Sequence, residues 1–282
     1  MFRLLLLALL PLLPATALAE IRLGILAPQG AAIAEDRWRA FANRLGAELG
    51  EPITIISQGA AAGTESFANR EIDFLIGNPV QTAVAVDTMS AITLLSVVSG
   101  GRTHFAGVIA VRADSRVQSI ADIRETTVAT LGDWAAGGYV FQAHHVLRNG
   151  VGHINTETRR VKGANQRDLV QKLLSGQADV AFIRTGLIEE MVAEGSLSAD
   201  SLRVLDQQDG NLMRTTSWYP EWFVVAQNHT DPALLVRMKQ VLLGFDADDP
   251  EMSQARVTKF RDPLNLQPLI VALQDLGVAP YN

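Results

Sequence analysis

One group of residues in the sequence has the chemistry to hold a negatively charged, oxygen-containing ligand. Arg184, followed by Thr185, comes directly after an apolar stretch that is typical of a strand over 179–183. An arginine guanidinium presents a planar fork of N–H donors that fits two oxygen atoms of an oxyanion. Because ligands of open parallel sheets bind at the carboxyl ends of the strands, we expect Arg184 and Thr185 to face a ligand. The alternative is an ion pair between Arg184 and Glu189 or Glu190.

A second candidate for anion binding is the glycine pair Gly137-Gly138, which precedes Tyr139 at the start of a predicted helix over 139–148. Free backbone N–H groups and the positive end of the helix dipole attract an anion at such a position. Glycines would also let a ligand approach the backbone closely. An ordinary turn explains the pair equally well, and Tyr139 is either a phenolic donor to the ligand or a buried packing partner.

Other polar and aromatic residues lie in loops or at predicted strand ends. Asn78 precedes a proline at a helix start, so its amide either caps that helix or contacts a ligand. We expect further ligand contacts among Gln29, Arg102, His104, Trp218 and Tyr219, although polar loop residues are usually only solvated. Trp222 is expected to pack in an interface instead.

No pattern typical of an enzyme or of a metal site is present in the sequence. The chain has no cysteine, which excludes disulfides, thiolate metal sites and cysteine nucleophiles. The motifs HExxH, GxSxG, the P-loop and a GxGxxG after a strand are absent. His144 and His145 are neighbours on a predicted helix, so they point in different directions and cannot bind one metal ion. We therefore expect a protein without enzymatic activity and without a cofactor or metal.

Charge and length limit the class of protein further. The 282 residues carry a formal charge of −6, with no run of Lys or Arg, so a nucleic-acid partner is not expected. Residues 1–19 hold one basic residue, an apolar stretch and a terminal Ala17-Leu18-Ala19, the pattern of a signal peptide cleaved after Ala19. The alternative is an N-terminal membrane anchor, which Pro11 and the short apolar run disfavour. We expect export to the periplasm and a mature chain of charge −7 that begins at Glu20.

The rest of the chain alternates between short apolar stretches and segments with helical spacing of apolar residues. Such alternation predicts an α/β fold with a mostly parallel sheet. It runs up to an apolar strand at 105–111 and then restarts, which indicates two consecutive α/β halves without a long polar linker. Two facing halves, each binding ligands at strand ends, predict a cleft between them.

Several segments of the sequence resemble the type II periplasmic solute-binding proteins, and within them the phosphate/phosphite/phosphonate-binding family. They are IRLGIL at 21–26, REIDFLIGNP at 70–79, FAGVIAVRADSRVQSIADI at 105–123, LGDWAAGGYVFQ at 131–142, LLSGQADVAFIRTG at 173–186 and WYPEWFVVA at 218–226. The last two segments and the C-terminal 261–281 are most similar to the tetrathionate-sensor-like branch, in which this domain is the periplasmic input of a sensor histidine kinase.

The resemblance implies two lobes, each with a mostly parallel sheet flanked by helices, joined by two crossing strands. Lobe I would comprise 20–107 and 216–282, and lobe II 108–215, with a small anion bound between them. Hydroxyl residues of the phosphonate-binding branch are replaced here by Ala135, Ala136 and Gly137, and a nearby histidine position of that family holds Asn165. These departures make phosphate or phosphonate itself a less certain ligand.

The function expected from the sequence is a monomeric, exported binding protein that closes around a phosphonate-like, phosphate-like or sulfur oxyanion. Its partner would be the permease of an ABC transporter or, alternatively, a separate sensor histidine kinase. Two other classes stay open at this point. An exported lyase-type enzyme on the same fold would need an acid/base pair in the cleft, which the sequence does not display. An adaptor module without a ligand is disfavoured by the glycines at strand-to-helix turns.

Overall fold

The computed structural model describes residues 20–282, so the predicted signal peptide lies outside the described residues. The strands are β1 (Ile21–Leu26), β2 (Ile53–Gln58), β3 (Phe74–Gly77), β4 (Ile92–Val98), β5 (His104–Phe105), β6 (Gly107–Arg112), β7 (Thr127–Thr130), β8 (Arg159–Lys162), β9 (Val180–Arg184), β10 (Leu202–Val204), β11 (Tyr219–Pro220), β12 (Phe223–Ala226) and β13 (Lys259–Arg261). The helices are α1 (Ala31–Leu49), α2 (Ala60–Ala68), α3 (Pro79–Met89), α4 (Val140–Arg148), α5 (Ile154–Glu157), α6 (Gln166–Leu174), α7 (Leu187–Ala193), α8 (Pro232–Leu243), α9 (Pro250–Ala255) and α10 (Gln267–Leu276). Short 3₁₀ turns cover Ile120–Ile123 and Ala136–Gly138.

These elements form two sheets, each with helices around it. The first has the strand order β13-β4-β12-β3-β1-β2, and the second has the order β10-β6-β9-β7-β8. We call the first sheet with its helices lobe I and the second sheet with its helices lobe II. The α/β fold with two lobes that the sequence predicts is thereby confirmed, whereas the boundary residues of the lobes stay a prediction.

Most strands of each sheet run in one direction, as the sequence predicts, but each sheet also contains antiparallel strands. In lobe I, β1 pairs in parallel with β2 and β3, but β12 is antiparallel to both of its neighbours, β3 and β4. In lobe II, β7 is parallel to β8 and β9, but β6 is antiparallel to β9. Both β6 and β12 are the first strand after the chain crosses between lobes. The chain enters each sheet on the side where the parallel strands have their carboxyl ends. The entering strand must therefore run antiparallel to those strands.

The two crossings are joined to each other by a short ribbon. Strands β5 and β11 pair antiparallel, with Phe105 opposite Tyr219 and His104 opposite Pro220. The chain passes from β5 directly into β6 of lobe II, and from β11 directly into β12 of lobe I. This ribbon therefore contains both places where the chain passes from one lobe to the other.

Hydrophobic residues at helical spacing on α1 build the core of lobe I. Trp38 and Phe41 are completely buried there, and Phe41 packs edge-on against Phe245 with ring centroids 5.4 Å apart. Lobe II has its own cluster around Leu169, Leu173 and the strands β6 and β9. Helix α8 begins at an Asp-Pro pair, a typical helix start, and the Asp231 carboxylate accepts a hydrogen bond from the backbone N–H of Ala233 at 3.1 Å.

A third hydrophobic cluster includes side chains of both lobes. Helix α10, near the C-terminus, packs against α3 of lobe I and against α4 of lobe II. The imidazole of His144 on α4 lies 2.9 Å from the carboxylate of Asp275 on α10. The two lobes are therefore in contact outside the ribbon as well. No helix within 20–282 has the length and apolar character needed to cross a membrane.

Candidate functional site

Two of the predicted binding residues, Asn78 and Arg184, lie at the ends of strands, one in each lobe. Strand β3 of lobe I ends just before Asn78, and strands β7 and β9 of lobe II end at Thr130 and Arg184. The Asn78 amide caps α3 by accepting a hydrogen bond from the backbone N–H of Gln81 at 3.0 Å. The same amide donates to the backbone carbonyl of Trp134 in lobe II at 3.1 Å. The Asn78 side chain therefore caps α3 and also forms a hydrogen bond between the two lobes.

Arg184 is held at the carboxyl end of β9 by neighbours within lobe II. Its Nη2 atom lies 2.5 Å from the Glu190 carboxylate, and its Nη1 atom donates to the backbone carbonyl of Thr185 at 3.0 Å. The ion pair with Glu190 that the sequence left open as an alternative is thus present. It is a partly exposed pair, with side chains 36% and 41% exposed, and such pairs contribute only about 0–1 kcal/mol. An anionic ligand can therefore compete with Glu190 for this guanidinium.

A second guanidinium reaches the same place from lobe I. Arg102 lies in the turn between β4 and β5, where its backbone exchanges hydrogen bonds of 3.0 Å with Ser99. A side-chain carbon on Gly186 would lie 3.6 Å from Nη2 of Arg102 and 3.6 Å from Nη1 of Arg184. Gly186 has φ +81°, a left-handed conformation that favours glycine, so no side chain separates the two guanidiniums at this position. The structure brings Arg102 and Arg184 together, one from each lobe. The sequence predicts each of them as a ligand contact but does not predict that they form a pair.

Sequence reasoning missed Glu221, which lies beside this arginine pair. Its backbone N–H donates to the carbonyl of Thr103 at 2.9 Å, directly after the turn that carries Arg102. Burial of the carboxyl raises the pKa of Glu221 to about 7, although Arg102 and Arg184 both act to lower it. The available signal was a single charged residue among the aromatic residues of WYPEWFVVA, but its partners are not visible in the sequence.

The glycine pair Gly137-Gly138 is enclosed by protein atoms. A side-chain carbon on Gly137 would lie 2.7 Å from the Phe105 ring, and one on Gly138 would lie 2.9 Å from Leu131. The backbone N–H groups of Gly138 and Val140 both donate to the carbonyl of Ala135. Close packing of the turn against the ribbon accounts for these glycines, and contact with a ligand stays a prediction.

Tyr139 is a buried packing residue in this structure. Its hydroxyl accepts a hydrogen bond from the Asn155 amide at 3.1 Å, and the guanidinium of Arg160 lies 4.1 Å from its ring centroid. Burial raises the pKa of the phenol. Of the two alternatives that the sequence left open, packing is the one that these contacts support.

Four further candidate ligand contacts are Thr185, Asn165, His104 and Gln29, and the first three have polar contacts with neighbouring protein groups. The buried Thr185 hydroxyl accepts from the backbone N–H of Ala106 at 3.2 Å, which ties β9 to the ribbon. Asn165 is exposed and caps α6 through the N–H of Asp168. His104 lies 2.8 Å from the Thr103 hydroxyl, and burial together with Arg261 lowers its pKa. Gln29 lies exposed in the turn after β1.

The two aromatic candidates on the ribbon border a different cavity. Tyr219 stacks on Phe141 with centroids 3.9 Å apart, and Trp218 is 42% exposed beside Arg214. Both line an open groove of about 600 Å³ between α4 and α10. That groove does not include Arg102, Arg184 or Asn78, so the aromatic residues and the arginine pair do not form one site.

No group of three or more His, Asp and Glu side chains within 20–282 is arranged to hold a metal ion. The chemistry that the lobe edges offer is therefore that of hydrogen bonds and charge. The two guanidiniums can bind and orient an anion, and a carboxyl that titrates near neutral pH can exchange a proton.

Comparisons with known proteins agree with this fold. The model of the family described as "ABC transporter, phosphonate, periplasmic substrate-binding protein" matches residues 23–268. The fold is similar to that of XAC2383 from Xanthomonas citri bound to ATP, at a TM-score of 0.76 and 17% identity over 91% of this chain and 98% of that one. No curated protein is significantly similar to the chain in sequence.

Two further solved structures share the fold. PhnD1 from Prochlorococcus marinus, in complex with methylphosphonate, matches at a TM-score of 0.71 and 13% identity over 92% of this chain and 98% of that one. The aliphatic sulphonate binding protein SsuA from Escherichia coli matches at 0.56 and 13% over 92% and 86%. The family model spans most of the chain, and its members are exported binding components rather than enzymes. The chain belongs to the phosphonate family of periplasmic substrate-binding proteins of ABC transporters.

Proposed function

We propose that this protein captures a small oxyanion between its lobes, through Arg102 and Arg184, and delivers it to an ABC permease. The observation that carries the proposal is the approach of two guanidiniums, one from each lobe, to the same position above Gly186. Neither lobe alone presents both cations. A ligand that bridges them stabilises the closed arrangement over the open one, which is what a permease can recognise.

The negative charge of the mature chain does not oppose this assignment. Charges more than about 8 Å away are largely screened at physiological ionic strength, so the field at the site is set by its nearest groups. Hydrogen bonds to charged groups contribute about 1.5–3 kcal/mol each, more than the exposed pair of Arg184 with Glu190. A bound oxyanion can therefore displace Glu190 from Arg184.

The ligand class in this proposal is a phosphonate-like, phosphate-like or sulfur oxyanion. Similar folds are recorded with methylphosphonate in PhnD1 and as an aliphatic sulphonate binding protein in SsuA. Ala135, Ala136 and Gly137 supply no hydroxyl donors at the turn that faces Asn78. Most of the binding energy must then come from guanidiniums, which fit any planar pair of oxygen atoms. In this proposal the exported chain begins at Glu20, after cleavage behind Ala19.

Isothermal titration with methylphosphonate, phosphate, sulfate and methanesulfonate tests the proposal. Arg184→Ala should weaken binding of the best ligand about 10- to 150-fold, the value of one charged hydrogen-bonding group. The matched control is Arg167→Ala, because Arg167 also pairs with Glu190, at 3.4 Å, but lies on α6 away from Gly186. Equal affinity of both variants, or no binding of any of the four anions to the unaltered protein, would contradict the proposal.

A sensor histidine kinase is the alternative partner. It is supported only by the similarity of 173–186, 218–226 and the C-terminal segment to the tetrathionate-sensor-like branch. Two assays distinguish the partners. A permease partner predicts that the liganded protein stimulates the ATPase of the reconstituted transporter, and a kinase partner predicts that it changes the autophosphorylation of the kinase. The capture of the anion by the lobes is the same in both cases.

A further inference from the structure

The side-chain amide of Gln166 continues the sheet of lobe II beyond the end of β7. Strand β7 pairs with β9 at Val180 and Ala181 and ends at Thr130, whereas β9 continues to Arg184. The backbone N–H of Arg184 donates to Oε1 of Gln166 at 3.0 Å. A backbone N–H in a partly buried place needs such a partner, so the side chain of Gln166 completes the hydrogen bonding at the end of β9.

The nitrogen of the same amide holds the glycine turn that packs against Arg184. Nε2 of Gln166 donates to the backbone carbonyl of Gly137 at 3.3 Å. The turn touches the arginine, since a side-chain carbon on Gly137 would lie 3.3 Å from Cβ of Arg184. One amide group therefore links the backbone of Arg184 to the turn beside its side chain, and both polar atoms of that amide are bonded to protein.

Gln166 is itself held in place by the start of α6. It is the first residue of that helix, and the Asn165 side chain caps the helix by accepting from the N–H of Asp168 at 3.0 Å. The Asp168 carboxylate in turn accepts from the N–H of Ala164 at 2.8 Å. Because the helix start is fixed by these hydrogen bonds, the side chain of Gln166 extends from an ordered backbone toward Arg184.

The anchoring of Arg184 matters most when an anion is bound. Its guanidinium lies 2.5 Å from the Glu190 carboxylate, which the anion displaces in the proposed function. The direction of the arginine side chain then depends on its backbone. On one edge of β9 the N–H of Thr185 donates to the carbonyl of Ala106 at 3.0 Å, and on the other edge the amide of Gln166 is the anchor. Loss of that amide leaves the end of β9 held on one edge.

We propose that Gln166 is a positioning residue of the oxyanion site, which holds Arg184 in the orientation that the anion requires and does not contact the anion itself. This inference rests on the proposed function of Arg184. Without the amide, the end of β9 must become ordered when the anion binds, and this ordering lowers the affinity. The loss should be about 5- to 30-fold, the affinity equivalent of fixing the backbone of one residue.

Titration calorimetry tests the inference, with methylphosphonate, phosphate, sulfate and methanesulfonate as the probes. Gln166→Met, which has a similar length but no amide, should bind the tightest of these anions about 5- to 30-fold more weakly. Its melting temperature should change little, because Gln142 also donates to the Gly137 carbonyl, at 3.1 Å, and keeps the turn in place. Gln166→Asn, whose amide is too short to reach both partners, is the second variant and should show the same loss. The matched control is Gln171→Met on the exposed side of the same helix, which should bind like the unaltered protein.

A double-mutant cycle distinguishes positioning from other roles. If Gln166 acts through Arg184, adding Gln166→Met to Arg184→Ala should weaken binding no further. A further loss of similar size in that background would overturn the inference, because Gln166 would then act on the anion directly or through another group. Unchanged affinity of Gln166→Met, or failure of both Gln166 variants to fold, would overturn it as well while leaving the anion site in place. Failure of all four anions to bind the unaltered protein would instead overturn the proposed function, and the inference with it.

Discussion

The position of Glu221 predicts how the stability of the ligand-free protein depends on pH. Its carboxyl has a pKa of about 7 in the folded protein, compared with an ordinary value of 4.5, and burial is the main cause. The native state therefore keeps a proton that the unfolded chain has already released between pH 4.5 and pH 7. Stability must fall as the pH rises through this window, and the loss is complete above about pH 7.

The size of the effect follows from the pKa difference. One pKa unit corresponds to about 1.4 kcal/mol, so the window from 4.5 to about 7 costs about 3 kcal/mol of unfolding free energy. For a chain of this length about 1 kcal/mol moves the melting temperature by about 2–4 °C. Glu221→Gln cannot lose a proton, so its advantage over the unaltered protein in melting temperature should grow by about 6–12 °C between pH 4.5 and pH 8.

Differential scanning calorimetry of the ligand-free proteins at several pH values between 4.5 and 8 measures this advantage. Glu190→Gln serves as the control, because its exposed carboxylate gives the same change of net charge without the burial. A constant difference between Glu221→Gln and the unaltered protein across the whole range would refute the reasoning. It would mean that the carboxyl of Glu221 is solvated in the folded state.

Two further substitutions test the edges that face each other at the site. Gly137→Ala would place a side-chain carbon 2.7 Å from the Phe105 ring and should cost about 1–3 kcal/mol by overpacking, whereas Gly132→Ala in the same loop has no atom within 4 Å and should be neutral in thermal melts. Asn78→Ala removes a helix cap, worth about 1 kcal/mol, together with the hydrogen bond to Trp134, whereas Asn165→Ala removes a cap alone. Chemical denaturation should therefore show about 1 kcal/mol more loss for Asn78→Ala, and equal losses would mean that the contact between the lobes contributes nothing.

The sequence predicts most of the repeating elements because their patterns are local. Helical spacing of Trp38, Phe41 and Leu45 on α1, and the Asp231-Pro232 start of α8, depend only on nearby residues. Strand direction is not local. The residue types of β12 (Phe223–Ala226) favour a strand, but nothing within this segment shows that it enters its sheet from the opposite edge and runs antiparallel.

The candidate site shows the same division. Residue type and position after a strand are enough to predict that Arg184 lies at the end of β9. Its approach to Arg102 depends on the fold of both lobes, across 82 residues of chain, and so does the burial of Glu221. Glycines in the sequence predict the site less well than Arg184 does. The space beside Gly137 and Gly138 is filled by protein side chains, whereas two guanidinium groups lie beside Gly186.

The place of these groups relative to the ribbon bears on how the lobes work. Arg102 lies two residues before β5, Glu221 directly follows β11, and Arg184 pairs with Gly107 at the start of β6. In a rigid rotation, atoms near the axis move least, so the two guanidiniums beside the crossing strands separate only slightly when the lobes open. An anion can therefore reach both guanidiniums before closure. Closure then shortens its contacts with the pair and adds the contacts of the lobe edges.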